Sequence, residues 1–199
     1  MIARRTFLTL ALSALALAVV PLAHADDEPA TQKFVRIKQE KLTKLVKEGK
    51  PVDDVFKEVL DYQALAESAL IDHWSDLKDP QREEFTGLLS QLVRNSYRKN
   101  IKKTLGYSIK YEGVSPATGG ELVRSVASSE TDKREEAMHI DYLVANKSGG
   151  LRIVDVVTEG SSMVSNYRSS FNRIMKKGGF DEVIKRMKKK ASSGSDAAD

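Results

Sequence analysis

The chain of 199 residues contains no cysteine. Disulfides, thiolate metal sites and a cysteine nucleophile are therefore excluded, and so is the acylated cysteine of a lipid-anchored bacterial N-terminus. Histidine is nearly as scarce, with only His24, His73 and His139. The last two stand far apart, and no paired-histidine metal motif contains them. The chain also lacks a nucleophile elbow, a phosphate-binding P-loop and a dinucleotide glycine fingerprint. A strong excess of one charge is missing too. The net charge is +4, and the first 25 residues hold two arginines and no acid, leaving 30 basic against 28 acidic residues. That balance argues against a dedicated nucleic-acid binder.

No apolar run is long enough to cross a membrane. The longest spans residues 8–20, 13 in all, where a span needs about 20. Arg4 and Arg5 precede it, Pro21 interrupts it, and Ala23-His24-Ala25 follows. A basic head, a short apolar stretch and an A-x-A site make residues 1–25 a cleaved secretory signal peptide. Ala3-Arg4-Arg5-Thr6-Phe7-Leu8 also resembles a twin-arginine signal, so export runs by the Sec or the twin-arginine route. The mature chain would begin at Asp26 and keep 174 residues, enough for a normal core. The expected location is the periplasm, as a soluble protein.

The mature chain reads as helices, then strands, then helices again. Helical spacing runs through 30–105. Gly49 and Pro51 end its first segment, Asp61 offers a cap for a third, and Asp79-Pro80 starts the longest, which carries Phe85, Leu88, Leu89, Leu92, Val93, Tyr97, Ile101 and Leu105. After Gly106 the period changes to two. Tyr107, Ile109 and Tyr111 alternate with polar residues, and strands are expected at 107–111, 121–128, 139–145 and 151–157. The last is apolar on both faces, which reads as a central, covered strand. Ser161 or Ser162 then caps a helix that stops at Gly178-Gly179, and Asp181 caps another, so 161–190 is helical. Residues 191–199 are small and polar and read as a disordered tail. The fold class is α+β: a curved antiparallel sheet of about four strands packed by helices, with an added helical part. Residues 26–190 form a single domain.

Asp141 and Asp155 lie on neighbouring expected strands, where two carboxylates can serve as acid and base, or as ordinary surface and capping groups. The basic runs 94–103 and 185–190 are either solvated helix faces or a surface for anionic headgroups. The apolar faces are more extensive, but patterning alone does not separate a filled core from one with a ligand tunnel.

The run from Asp155 through Glu159-Gly160, Ser161-Ser162, Asn166-Tyr167-Arg168 and Phe171 resembles the signature of the MlaC phospholipid-carrier family, also called the toluene-tolerance family. His73-Trp74, Asp79-Pro80-Gln81-Arg82-Glu83-Glu84-Phe85, Tyr97 and the ending Gly178-Gly179-Phe180-Asp181 are similar to its other patterns. Leu151 departs from the family's usual tryptophan, and Ser161-Ser162 from a more apolar pair. The resemblance implies a nuclear-transport-factor-2-like cone that holds phospholipid as cargo, without a cofactor or catalysis. Its acyl chains would lie in a deep apolar pocket. Implied partners are an MCE-domain ABC transporter at the inner membrane and an outer-membrane lipoprotein complex, with the carrier a monomer that maintains outer-membrane lipid asymmetry. The expected pocket wall is Val93, Tyr97, Ile101, Tyr107, Ile109, Tyr142, Val154, Val164, Tyr167 and Phe171. Asp155, Glu159, Asn166 and Arg168 alternatively hold the last strand–helix junction. A hopanoid-type lipid as cargo, an enzyme using Asp141 or Asp155, and an interaction module with a filled core remain alternatives.

Intact-mass measurement of protein recovered from the cell envelope is expected to give a chain starting at Asp26. A full-length mass would overturn the cleaved signal.

Overall fold

The structure, a computed structural model, describes residues 28–147 and 149–195; the side chains of 98–104, 194 and 195 fall outside that description. The expected signal peptide 1–25 and the last four residues of the expected tail also lie outside it.

The helical half opens with α1 (Ala30–Lys47), α2 (Asp53–Val59) and α3 (Tyr62–Ala69). Val35 and Leu42 of α1 are buried one above the other, as a seven-residue spacing requires. Asp61 caps α3, its carboxylate accepting the Ala64 N–H at 2.9 Å. The long helix α4 (Asp79–Thr104) has 26 residues, and its start differs by one position from the sequence reading. Asp79 is already helical, and the Gln81 side chain accepts the Lys78 N–H at 2.9 Å in place of an aspartate cap. Pro80 is tolerated because the first turn has no intrahelical partner for its missing N–H.

The sheet has five strands in chain order, all antiparallel: β1 (Tyr107–Ala117), β2 (Gly120–Ser129), β3 (Met138–Lys147), β4 (Gly150–Thr158) and β5 (Ser161–Ser162). A bulge between Tyr111 and Gly113 lets β1 run on to Ala117 and bends it. Gly120 is forced by close approach. A Cβ there would stand 2.2 Å from the Val144 carbonyl oxygen, a gap only glycine allows.

The expectation of a central strand at 151–157 is corrected. β4 is next to the edge, and among those residues only Ile153 is fully buried. Its outer side is covered piecemeal. β5 pairs with Val157 and Thr158, and Leu60 makes a parallel bridge to Ile153. Beside that bridge the Asp61 N–H donates to the Ile153 carbonyl at 3.0 Å. The apolar run therefore meets the α2–α3 link, not another long strand.

The junction from β4 into α5 (Met163–Ser195) is built by the irregular sequence run. Glu159 and Gly160 both take positive φ, 49° and 72°, as a tight hairpin turn between β4 and β5 requires. The Asp155 carboxylate accepts the Ser162 hydroxyl at 2.5 Å and the Val164 N–H at 3.0 Å. Ser162 in turn accepts the Ser165 N–H at 3.0 Å, capping the helix. Arg168 Nε donates to the Ser68 carbonyl at 2.9 Å and ties α5 to the end of α3. Gly179 breaks α5 with φ 68° and ψ −168°. The disordered tail expected from 191 is corrected as well. The helix continues to Ser195, Ala191 is buried, and Asn95 Nδ2 donates to the Ala191 carbonyl at 3.1 Å. A tertiary contact orders a segment whose composition alone does not.

The core centres on Phe85, which is fully buried. Its ring meets Phe171 edge-on with centroids 5.1 Å apart and touches Phe180 and Trp74 at 6.4 and 6.5 Å. Leu65, Leu70, Leu89 and Val183 fill the space around it, and Val123, Val144 and Ile153 extend the core onto the sheet.

Phe85→Ala is expected to cost about 3–5 kcal/mol, read from the urea midpoint. A loss below about 1 kcal/mol would deny that ring its central place. Asp155→Ala should cost about 1–2 kcal/mol through the lost cap, with Asp155→Asn retaining part of it. An Asp155→Ala protein of unchanged stability would sever that carboxylate from the junction.

Candidate functional site

Strand register decides which side chains share the face turned to the helices. Tyr111 pairs with Ser125 across β1–β2, Val123 with Tyr142 across β2–β3, and Tyr142 with Val156 across β3–β4. Alternation along each strand adds Ile109 and Val144 to the same face. The floor between the outer strands is small and sealed. Val123 and Ser125 are fully buried, and the Ser125 hydroxyl donates to the Ile140 carbonyl. Tyr111 and Tyr142 rise on either side of that floor, two strands apart, which is about 10 Å at ordinary strand spacing.

Tyr97 of α4 holds its ring edge-on against Phe56 with centroids 4.2 Å apart. Tyr97, Tyr111 and Tyr142 are alike in one respect: burial raises the pKa of each hydroxyl. Tyr142 is pushed up to about 12, by burial first and then by Asp141. Burial raises the hydroxyls of Tyr62 and Tyr167 in the same way.

Tyr111 also reaches outward. With Tyr107 and Ile109 it forms one wall of a groove of about 550 Å³, and α1 supplies the other wall with Arg36, Glu40, Lys44 and Lys47. That volume falls within the range of small-molecule sites. Arg36 is clamped by Glu28 at 2.8 Å and Glu40 at 3.0 Å, and the guanidinium holds the Glu28 carboxyl below its ordinary range. Glu40 and Arg36 both act on the Tyr111 hydroxyl. Tyr111 thus stands both on the helix-facing side of the sheet and in the groove wall.

The residues expected in the wall do not form a single lining. Val93, Val164 and Phe171 are buried in the closed core. Tyr167 stacks on Phe171, centroids 5.6 Å apart, and is half-buried. Tyr97 and Tyr142 are partly buried and pack against the core, and neither lines the groove. Tyr107 and Ile109 belong to the groove, and the Tyr107 hydroxyl donates to Glu135. Val154 sits where the register shifts opposite Leu143 and Val144; Val156, not Val154, pairs with Tyr142 and packs on the core. The side chain of Ile101 lies outside the described residues.

Sequence reasoning left out Tyr111, Val156 and the α1 wall. Tyr111 was the next step of the alternation that picks Tyr107 and Ile109. Arg36, Glu40, Lys44 and Lys47 recur every three or four positions, a polar helix face that periodicity also marks. The two aspartates considered for chemistry are engaged. Asp155 holds the junction, and Asp141 accepts the Ser125 N–H at 3.3 Å. Among the described residues no group of His, Asp and Glu is placed to hold a metal ion.

The MlaC protein family matches residues 28–189, which runs from just before α1 almost to the end of α5. A phospholipid-binding protein from Ralstonia solanacearum, solved in complex with a phospholipid, has a similar fold. The TM-score is 0.73 at 17% identity, covering 83% of this chain and 98% of that one. No curated protein matches the chain. With the family match extending over both the helical and the sheet half, the chain belongs to the MlaC family.

Proposed function

We propose that the protein carries phospholipid through the periplasm. It would exchange cargo with an MCE-domain ABC transporter of the inner membrane and with a lipoprotein complex of the outer membrane, and so maintain outer-membrane lipid asymmetry. The observation that carries this reading is the groove of about 550 Å³ between α1 and β1, walled on the sheet side by Tyr107, Ile109 and Tyr111. Membership of the MlaC family supports it, and so does a fold neighbour that binds a phospholipid.

The energetics explain why such a space is needed. Two acyl chains carry about 30 methylenes, each worth about 0.8 kcal/mol on leaving water. A lipid in transit must therefore stay shielded. The cationic side chains of α1 at the groove, Arg36, Lys44 and Lys47, suit a phosphate left at the mouth. The carrier needs no catalytic group or cofactor, because phospholipid is the cargo and leaves unchanged. It acts as a monomer, exported by the segment 1–25.

Protein purified from the periplasm without detergent is expected to yield near-stoichiometric phospholipid on solvent extraction and mass spectrometry. Folded protein that holds no lipid and takes none from vesicles would overturn the carrier. Tyr142→Glu places a charge among the acyl chains and should lower the co-extracted phospholipid roughly tenfold, with the far-UV circular dichroism unchanged. Full occupancy in that variant would remove Tyr142 from the wall.

A further inference from the structure

Charge is not spread evenly over the chain. Residues 163–190 of α5 hold nine cations against two acids, an excess larger than the net charge of +4 on the whole chain. Elsewhere acids answer the cations of the helices. Arg36 is held by Glu28 and Glu40, and Glu58 takes Lys38 at 2.8 Å and Lys41 at 3.4 Å. Beyond the break at Gly179 the pattern differs. Val183, Ile184, Met187 and Ala191 turn one side of the helix into the core. Lys185, Arg186, Lys189 and Lys190 stand exposed on the other, as two i, i+4 pairs of like charge. Like charges at that spacing weaken a helix, so the stripe does not serve the helix's own stability. Glu182 bonds Arg186 at 2.7 Å and reaches Lys185 at 3.9 Å, and Glu84 takes Lys188 at 2.7 Å. Lys189 and Lys190 pair with no carboxylate among the described residues.

Residue type points to the partner. Four of the five cations in 185–190 are lysines, compact hydrated charges on flexible stems that form no bidentate fork. Such groups suit a diffuse plane of negative charge better than the fixed carboxylates of a protein site. The other basic run of the sequence, 94–103, begins beside the stripe, where Asn95 Nδ2 donates to the Ala191 carbonyl at 3.1 Å. Residues 26–199 hold 30 basic against 28 acidic residues, so attraction to a membrane has to come from a patch and not from net charge. The apolar side of the helix is committed to the core, which leaves no side chain to insert into a bilayer and makes the contact purely electrostatic. We propose that the solvent face of α5 over residues 185–190 docks the protein on the anionic phospholipid headgroups of a membrane surface. The proposal rests on the carrier reading for its use, since docking brings the carrier to the place where lipid is handed over. The groove is lined from α1 and β1, so docking and cargo are measured apart.

The test is flotation of the mature protein with vesicles of phosphatidylcholine, either alone or with about 30% phosphatidylglycerol. At about 0.01 M salt, binding to the anionic vesicles is expected to exceed binding to the neutral ones roughly tenfold, and to vanish at about 0.5 M salt, where screening is nearly complete. Lys185→Gln/Lys189→Gln/Lys190→Gln should lower the binding roughly tenfold. Lys57→Gln/Lys110→Gln/Lys133→Gln removes the same charge from exposed positions elsewhere and should keep it. All six lysines are exposed, so neither variant disturbs the core. No preference of the natural protein for the anionic vesicles overturns a lipid surface as the partner and leaves an acidic protein for this face. Equal loss in the two triple variants overturns the assignment to α5. Cargo is extracted and counted before the vesicles are added. Protein that docks but holds no phospholipid overturns the carrier and leaves the docking standing.

Discussion

The edge-on contact between Phe85 and Phe171 is the point on which the molecule turns. It joins α4 to α5, and those two helices span both halves of the structure. Phe85 seals its end of α4, surrounded by Trp74, Phe171 and Phe180. Tyr97 lies twelve residues further along the same helix, which is about 18 Å at 1.5 Å per residue. The aromatic contacts near Phe85 fix the line of that helix, and Tyr97 packs on Phe56 further along it.

The most irregular stretch of sequence does its work away from the groove. Asp155, Ser161, Ser162, Asn166 and Arg168 bond to backbone or to one another, and Glu159 and Gly160 turn the chain. They convert the end of a strand into the start of a helix within a few residues. Without that conversion, Phe171 would not arrive beside Phe85. The motif makes the fold: it sets the strand–helix junction on which the core is built.

This also explains which parts of the structure the sequence disclosed. The change of period after Gly106 marks the passage from helices to sheet, and Asp61, Gly120 and Gly179 sit where local chemistry demands them. What local chemistry does not contain is distance. The run 151–157 looks central because it is apolar, but Leu60 and the short β5 cover it instead of a long strand. Residues 191–195 look disordered because they are small and polar, but they are helical, with Ala191 buried against α4. The site was legible in the same partial way. Periodicity named the face that carries Tyr107, Ile109 and Tyr142. It did not anticipate the register shift that exchanges Val154 for Val156, nor separate the buried Phe171 from the half-buried Tyr142. Whether a face is filled depends on what approaches from the other side.

The bulge in β1 has a bearing on how the protein survives among its neighbours. β1 is an outer strand of eleven residues, long enough to recruit a strand from another chain. The register shift between Tyr111 and Gly113 interrupts its ladder halfway. Pro116 removes one donor, and the exposed Lys110 places a charge beside another. At the opposite end the two-residue β5 offers almost no edge. A sheet ended in these ways resists growing into a cross-chain stack, and the protein can then stay dispersed at high local concentration.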